Sequence, residues 1–185
     1  MRPNLFQRLF EFFRGPIDPT RDFGDSKKVA LFWDFDAKQL NGISFGDSIE
    51  GLEQFGRATV FNETVTGKSV SFTFAKSGLF MEFDRPSAEV PHYTFDYFGV
   101  LVGPDRASEV ECEIDYQSLH VVPGDRVWDQ DTERETFGEL FGPPHRIECD
   151  DEEDVRYYEF DGIEYELEFN PHGGKLKRIN VYPFI

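Results

Sequence analysis

The segment Ile163-Glu-Tyr-Glu-Leu-Glu-Phe169 alternates apolar and acidic residues without a break, between turn sequences at Asp161-Gly162 and Asn170 to Gly174. Successive side chains of a strand point to opposite faces, so this run is a strand with one face on a core and a row of carboxylates on the other. The flanking runs Val155 to Phe160 and Lys175 to Tyr182 have the composition of strands too. Joined by those tight turns, the three make an antiparallel meander that closes the chain. In the run 155–160, either Val155 and Tyr157 or Tyr158 and Phe160 point inward, and the sequence leaves both readings open.

Just upstream, Thr132-Glu-Arg-Glu135 has the form of a capping box, in which the Thr hydroxyl and the Glu carboxylate satisfy each other's backbone amides. Phe137, Leu140 and Phe141 fall on one face of the short helix it would start, and Gly142-Pro143-Pro144 ends it. The same order occurs earlier. Asp47 or Ser48 can cap a helix carrying Ile49, Leu52 and Phe55, stopped by Gly56; then Val70 to Phe74 and Leu79 to Phe83 flank a turn at Lys76-Ser77-Gly78. Ahead of both copies, Val29 to Phe35 reads as a strand with a turn following near Asn41-Gly42. Between them, Tyr93 to Val102 and Val110 to Val122 read as further strands whose order the sequence does not assign.

A short capped helix ending in Gly, then a meander with a turn Gly before an apolar-Glu-Phe strand, resembles the repeat of the beta-lactamase-inhibitor-protein superfamily. It is similar also to the small outer-membrane lipoproteins of the barrel-assembly machinery. The residues that carry the likeness are Gly46, Leu52, Gly56 and Phe83 in one copy and Thr132, Leu140, Gly142, Pro144 and Phe169 in the other. Together the copies cover about two thirds of the chain. The resemblance implies an α+β fold of two tandem helix-plus-meander repeats, forming one curved antiparallel sheet with short helices on one face and gripping another protein. The expected division is 1–41 for an N-terminal helix and first strand, 42–125 for repeat 1 with linking strands, and 126–185 for repeat 2. Ala58 stands where the proline would be in the first copy, Cys112 and Cys149 do not supply the inhibitors' paired disulfides, and Met1 has no lipidation cysteine near it.

A net charge of -17 disfavours nucleic acid, whose affinity for proteins rests on cations that neutralise phosphates, and favours a basic protein partner. With 21 Phe the chain has ample apolar surface for a core, yet no run is long enough to span a bilayer. The cysteines are too far apart for a redox or zinc motif, and the N-terminus is a poor secretory signal, so the expected location is cytoplasmic. Leu5, Phe6, Leu9, Phe10, Phe12 and Phe13 line one side of an expected helix over residues 4–14; with Arg2, Arg8 and Arg14 it is either a peripheral membrane contact or, on the plainer reading, a core helix.

Partner-binding candidates are Glu164, Glu166 and Glu168 on the strand's polar face, together with Tyr157 and Tyr158. The plainer reading of the carboxylates is a solvated face moderated by cross-strand pairing with Lys177 or Arg178. Asp150 to Asp154 has the oxygen ligands a hard cation needs but not their spacing, and reads as an acidic loop. Asp34 and Asp36 faintly suggest a phosphohydrolase strand end, against which the hairpin connections argue. His92, His120, His145 and His172 are scattered, and no cofactor or metal motif is present. The expectation is a non-enzymatic interaction module, such as an inhibitor or immunity-type binder of a basic partner. An enzyme with a pocket built from distant residues, or an assembly subunit docking through its N-terminal helix, is the alternative.

Overall fold

The computed structural model describes residues 17–87, 89–90, 92–104 and 113–184. The expected helix over residues 4–14 lies outside them, as does Cys112. Thirteen strands follow in order: β1 (Leu31–Asp34), β2 (Gln39–Leu40), β3 (Ile43–Ser44), β4 (Val60–Glu63), β5 (Ser69–Phe74), β6 (Leu79–Asp84), β7 (Thr94–Leu101), β8 (Leu119–Val122), β9 (Arg126–Trp128), β10 (Arg146–Cys149), β11 (Asp154–Phe160), β12 (Ile163–Phe169) and β13 (Leu176–Pro183). A 3-10 helix spans Ile49–Phe55, and one α-helix, α1, spans Arg134–Phe141.

Two sheets result. The larger has eight strands in the order β10-β11-β12-β13-β7-β6-β5-β4, every neighbouring pair antiparallel. It consists of two four-strand meanders, joined where β13 meets β7 with Ile179 opposite Val100 and Asn180 opposite Gly99. The smaller runs β3-β2-β1-β8-β9, and its β1 and β8 are parallel, with Leu31 opposite Leu119 and Trp33 opposite Val121.

This overturns the α+β expectation. The fold is mostly β, with two sheets in place of one, and the described residues contain only two helical segments longer than a single turn. The helices the sequence pointed to are two turns long and supply plugs, Phe55 and Phe137, rather than a layer. Covering the larger sheet is the work of β1 and β8, whose parallel pairing joins segments far apart in the chain and leaves no local pattern. The capping box is not formed either: Glu133 is the N-cap and makes no side-chain cap bond. The Thr132 hydroxyl is taken by the Asp129 amide, 2.9 Å away, which stabilises the turn before the helix instead.

The turns follow their residue chemistry. Asp161 and Gly162 both have positive φ, 51° and 73°, the combination that matches a two-residue hairpin turn to the right-handed twist of β11 and β12. Asn41 and Gly42 repeat it between β2 and β3, with φ of 50° and 82°.

The sheets are locked together by aromatic residues. Trp33, fully buried on β1, donates its indole N–H to the Tyr165 hydroxyl on β12 at 3.2 Å and packs on Phe98 of β7 at 5.2 Å between ring centroids. Trp128 of β9 meets Phe137 and Phe141 of α1, and Phe141 stacks on Tyr165 at 4.6 Å. Offset and edge-to-face pairs of this kind add to the free energy of burying the rings.

Candidate functional site

The register fixes which residues share the wall of the large sheet that faces away from the small one. Glu164, Glu166 and Glu168 stand there on β12, beside Tyr157 of β11 and Arg178, Asn180 and Tyr182 of β13. Across the seam the row continues through Gly99 and Tyr97 of β7 to Glu82 of β6. This polar wall spans both meanders.

The two halves of the wall differ electrostatically. On the second meander each carboxylate has partners. Glu168 is bonded to Lys177 and lies 3.9 Å from Arg178; Glu166 accepts from Asn180 Nδ2 at 2.8 Å and from Tyr182 Oη at 3.0 Å; Glu164 lies 3.1 Å from His145 Nε2. Asn180 in turn accepts from the Tyr97 hydroxyl at 2.8 Å, so a continuous hydrogen-bond chain, Tyr97 to Asn180 to Glu166, crosses the seam. Gly99 leaves the room for it: a β-carbon there would stand 2.6 Å from Asn180 Oδ1 and 2.7 Å from the Tyr97 hydroxyl. Burial beside these carboxylates holds the Tyr97 and Tyr182 phenols well above the ordinary tyrosine range.

On the first meander Glu82, Asp84 and Asp96 lie together. A bulge between Glu82 and Phe83 makes Asp96 an extra residue in the ladder. Partial burial raises the pKa of Glu82 and Asp96 first, and the neighbouring carboxylates raise them further, Asp84 and Asp96 acting on Glu82 and Asp84 on Asp96. The Ser69 hydroxyl, bonded to Asp84, opposes the shift at Glu82 only in part. Here like charges crowd one another, where the second meander gives each carboxylate a hydrogen-bonding or cationic partner.

The residues singled out from the sequence separate on this geometry. Glu164, Glu166 and Glu168 do share one face, but Glu164 and Glu168 are largely buried, each 9% exposed or less, under their own partners. Tyr157 lies on the same wall with the Arg146 guanidinium 3.5 Å from its ring centre, while Tyr158 points the other way and is 1% exposed in the core. Tyr158 and Phe160 are on the face toward the small sheet, with Phe160 against Phe35 and Phe141 but 41% exposed, while Val155 and Tyr157 on the other wall are covered too, at 8% and 7%. Asn180, Tyr182, Glu82 and Asp96 were not among the site candidates. Their signal is the strand register, which a single sequence does not display.

The acidic run resolves into distinct parts. Asp150 accepts the Glu152 and Glu153 amides at 2.8 and 2.9 Å, and those bonds depress its pKa. Asp154 is completely buried between Arg134, 2.7 Å away, and Arg156, 3.0 Å away. The remaining acids edge a groove of 590 Å³ with Pro104, Asn170, Pro171, His172 and Lys177. Among the described residues no group of three or more His, Cys, Asp or Glu is placed to hold a metal. Asp34 accepts the Ala37 amide at 2.8 Å in an ordinary turn, and His120 stacks on Phe32 at 5.0 Å on the small sheet. No described helix is long and apolar enough to cross a membrane.

No family model, curated protein or solved structure matches this chain. The likeness to the inhibitor-protein repeat therefore rests on its motif residues alone.

Proposed function

We propose that this protein is a non-enzymatic binding module that takes a lysine- and arginine-rich segment of a partner protein on the polar wall of its eight-stranded sheet, centred on Glu82, Asp84 and Asp96. The observation that carries this reading is the contrast between the two meanders. Glu164, Glu166 and Glu168 each have a hydrogen-bonding or cationic partner within the chain, whereas Glu82 and Asp96 are raised first by burial and then by other carboxylates. A cation brought by a partner relieves both the repulsion and the desolvation of these groups. The partly buried rings of Tyr97 and Tyr182 lie 6.1 Å apart on the same wall, Tyr97 opposite Glu82.

The crowding has a measurable consequence in the free protein. A carboxylate whose folded pKa lies above its unfolded value holds its proton longer in the folded state, so its contribution to stability is lost as pH rises through the folded pKa. Glu82→Gln removes that loss. The variant is expected to exceed the parent in stability at neutral pH by about 0.5 kcal/mol, discounted for partial exposure, and to lose the advantage as pH falls toward the ordinary carboxylate range. Urea unfolding across that pH range checks it.

The binding reading is tested by titrating an arginine- and lysine-rich peptide calorimetrically into the parent and two variants of equal charge. The first neutralises the cluster by Glu82→Gln, Asp84→Asn and Asp96→Asn; the second neutralises the loop by Asp151→Asn, Glu152→Gln and Glu153→Gln. The cluster variant is expected to bind about tenfold more weakly, and the loop variant within about twofold of the parent. Equal weakening in both would reduce the interaction to net charge and remove the proposal.

A further inference from the structure

Among the described residues the eight-stranded sheet has two edges, and β10 forms one of them, with no described strand beyond it. All four of its residues are exposed, with Ile147 53% exposed. An open strand edge is a row of unpaired backbone groups that invites another strand. The phase of the existing ladder shows which groups are open. Asp150 donates its amide to Glu153 at the hairpin end of the β10–β11 pair, and inward-bonding residues alternate along an antiparallel strand. Glu148 and Arg146 therefore turn their backbone groups toward β11, and Ile147 turns its N–H and C=O toward the free edge.

From this edge we infer that the chain forms a symmetric dimer in which β10 of one copy pairs antiparallel with β10 of a second copy about Ile147. In that register Ile147 faces its own counterpart and the two exchange both backbone hydrogen bonds. Arg146 then stands opposite Glu148 of the second copy, and Glu148 opposite Arg146, on the polar wall; the two isoleucines meet on the other face. Charged residues on an edge ordinarily deter pairing. Here the pattern Arg-Ile-Glu is complementary only to itself run backwards, so the same charges that repel other strands select a second copy. In the single chain the two side chains meet each other on the polar wall, Arg146 Nε 3.5 Å from Glu148 Oε1, with Arg146 over the Tyr157 ring and Glu148 accepting from the Tyr157 hydroxyl at 3.2 Å; pairing about the axis exchanges this within-strand pair for two across it. Two-fold symmetry closes the assembly at two copies, since β10 is consumed on each.

Sedimentation equilibrium at about 0.15 M salt, which screens the general repulsion between acidic chains, tests it. The parent is expected to show a monomer–dimer equilibrium with no larger species. Ile147→Pro deletes only an N–H that faces solvent in the monomer, which an edge strand tolerates, and is expected to be monomeric with an unchanged unfolding curve. Arg146→Glu sets like charges opposite each other twice across the axis and is expected to weaken the dimer about tenfold or more. Adding Glu148→Arg to it restores opposite pairs and is expected to return the dissociation constant to within about threefold of the parent. A parent that is monomeric at every concentration, a dimer that survives Ile147→Pro, or a charge swap that fails to restore association would each overturn the inference.

Discussion

Replacing Asp154 by alanine is expected to destabilise the protein by about 3 kcal/mol, the scale seen when one member of a buried ion pair is removed. The carboxylate is fully buried and accepts from Arg134 Nη1 at 2.7 Å and Arg156 Nε at 3.0 Å. Arg134 is the first residue of α1 and Asp154 the first of β11, so this contact fastens the helix to the sheet. Without the carboxylate two guanidinium groups face each other, with only the exposed Glu135 carboxylate, 3.4 Å from Arg134 Nε, left as a counter-charge. Asp154→Asn, which keeps an acceptor of the same shape, is expected to recover part of the loss. Guanidinium unfolding of the two variants measures both quantities, and an Asp154→Ala cost below about 1 kcal/mol would show that the arginines simply turn to solvent.

Trp33→Ala is expected to cost more, about 4 kcal/mol, as large-to-small changes of buried aromatic residues do. The indole is the main plug between the two sheets, touching Phe45 and Phe98 and bonded to Tyr165. Trp33→Phe retains most of the ring packing and gives up the hydrogen bond, leaving the Tyr165 hydroxyl without its donor, and is expected to cost about 1–2 kcal/mol. Hydrogen exchange shows where the energy sits. Amides of β1 and β8 are expected to lose protection in Trp33→Ala before those of β12 and β13, because the small sheet depends on this contact while the long strands keep their own ladder.

The meander over residues 154–183 was legible because its information is local. Alternation in Ile163–Phe169 and the Asp161-Gly162 turn determine strand, register and face within one segment. What the sequence concealed depends on contacts between distant segments. The parallel pairing of β1 with β8 has no local signature, and it replaces the helical layer that the short Gly-ended segments suggested. Asp154 read as the end of a solvated acidic run; its burial depends on Arg134, twenty residues away, and on Arg156, which shares its face two positions on. Alternation places Glu164 and Glu168 on one face, and the expected pairing with Lys177 or Arg178 is found at Glu168, but alternation says nothing of how deeply that face is covered. The proposed binding cluster, Glu82, Asp84 and Asp96, straddles a bulge, where the two-residue period on which such readings rely is interrupted.

The wall around Glu82, Asp84 and Asp96 is proposed to receive a basic segment. Two-dimensional NMR of the nitrogen-15-labelled protein, titrated with an arginine- and lysine-rich peptide at about 0.15 M salt, locates the contact directly. Shift changes are expected to concentrate on β5, β6 and β7 around Ser69, Glu82, Asp84, Asp96 and Tyr97, and to fade toward β10. Shifts spread evenly over the acidic surface, or centred on the loop 150–153 with the β6–β7 residues unmoved, would contradict the account.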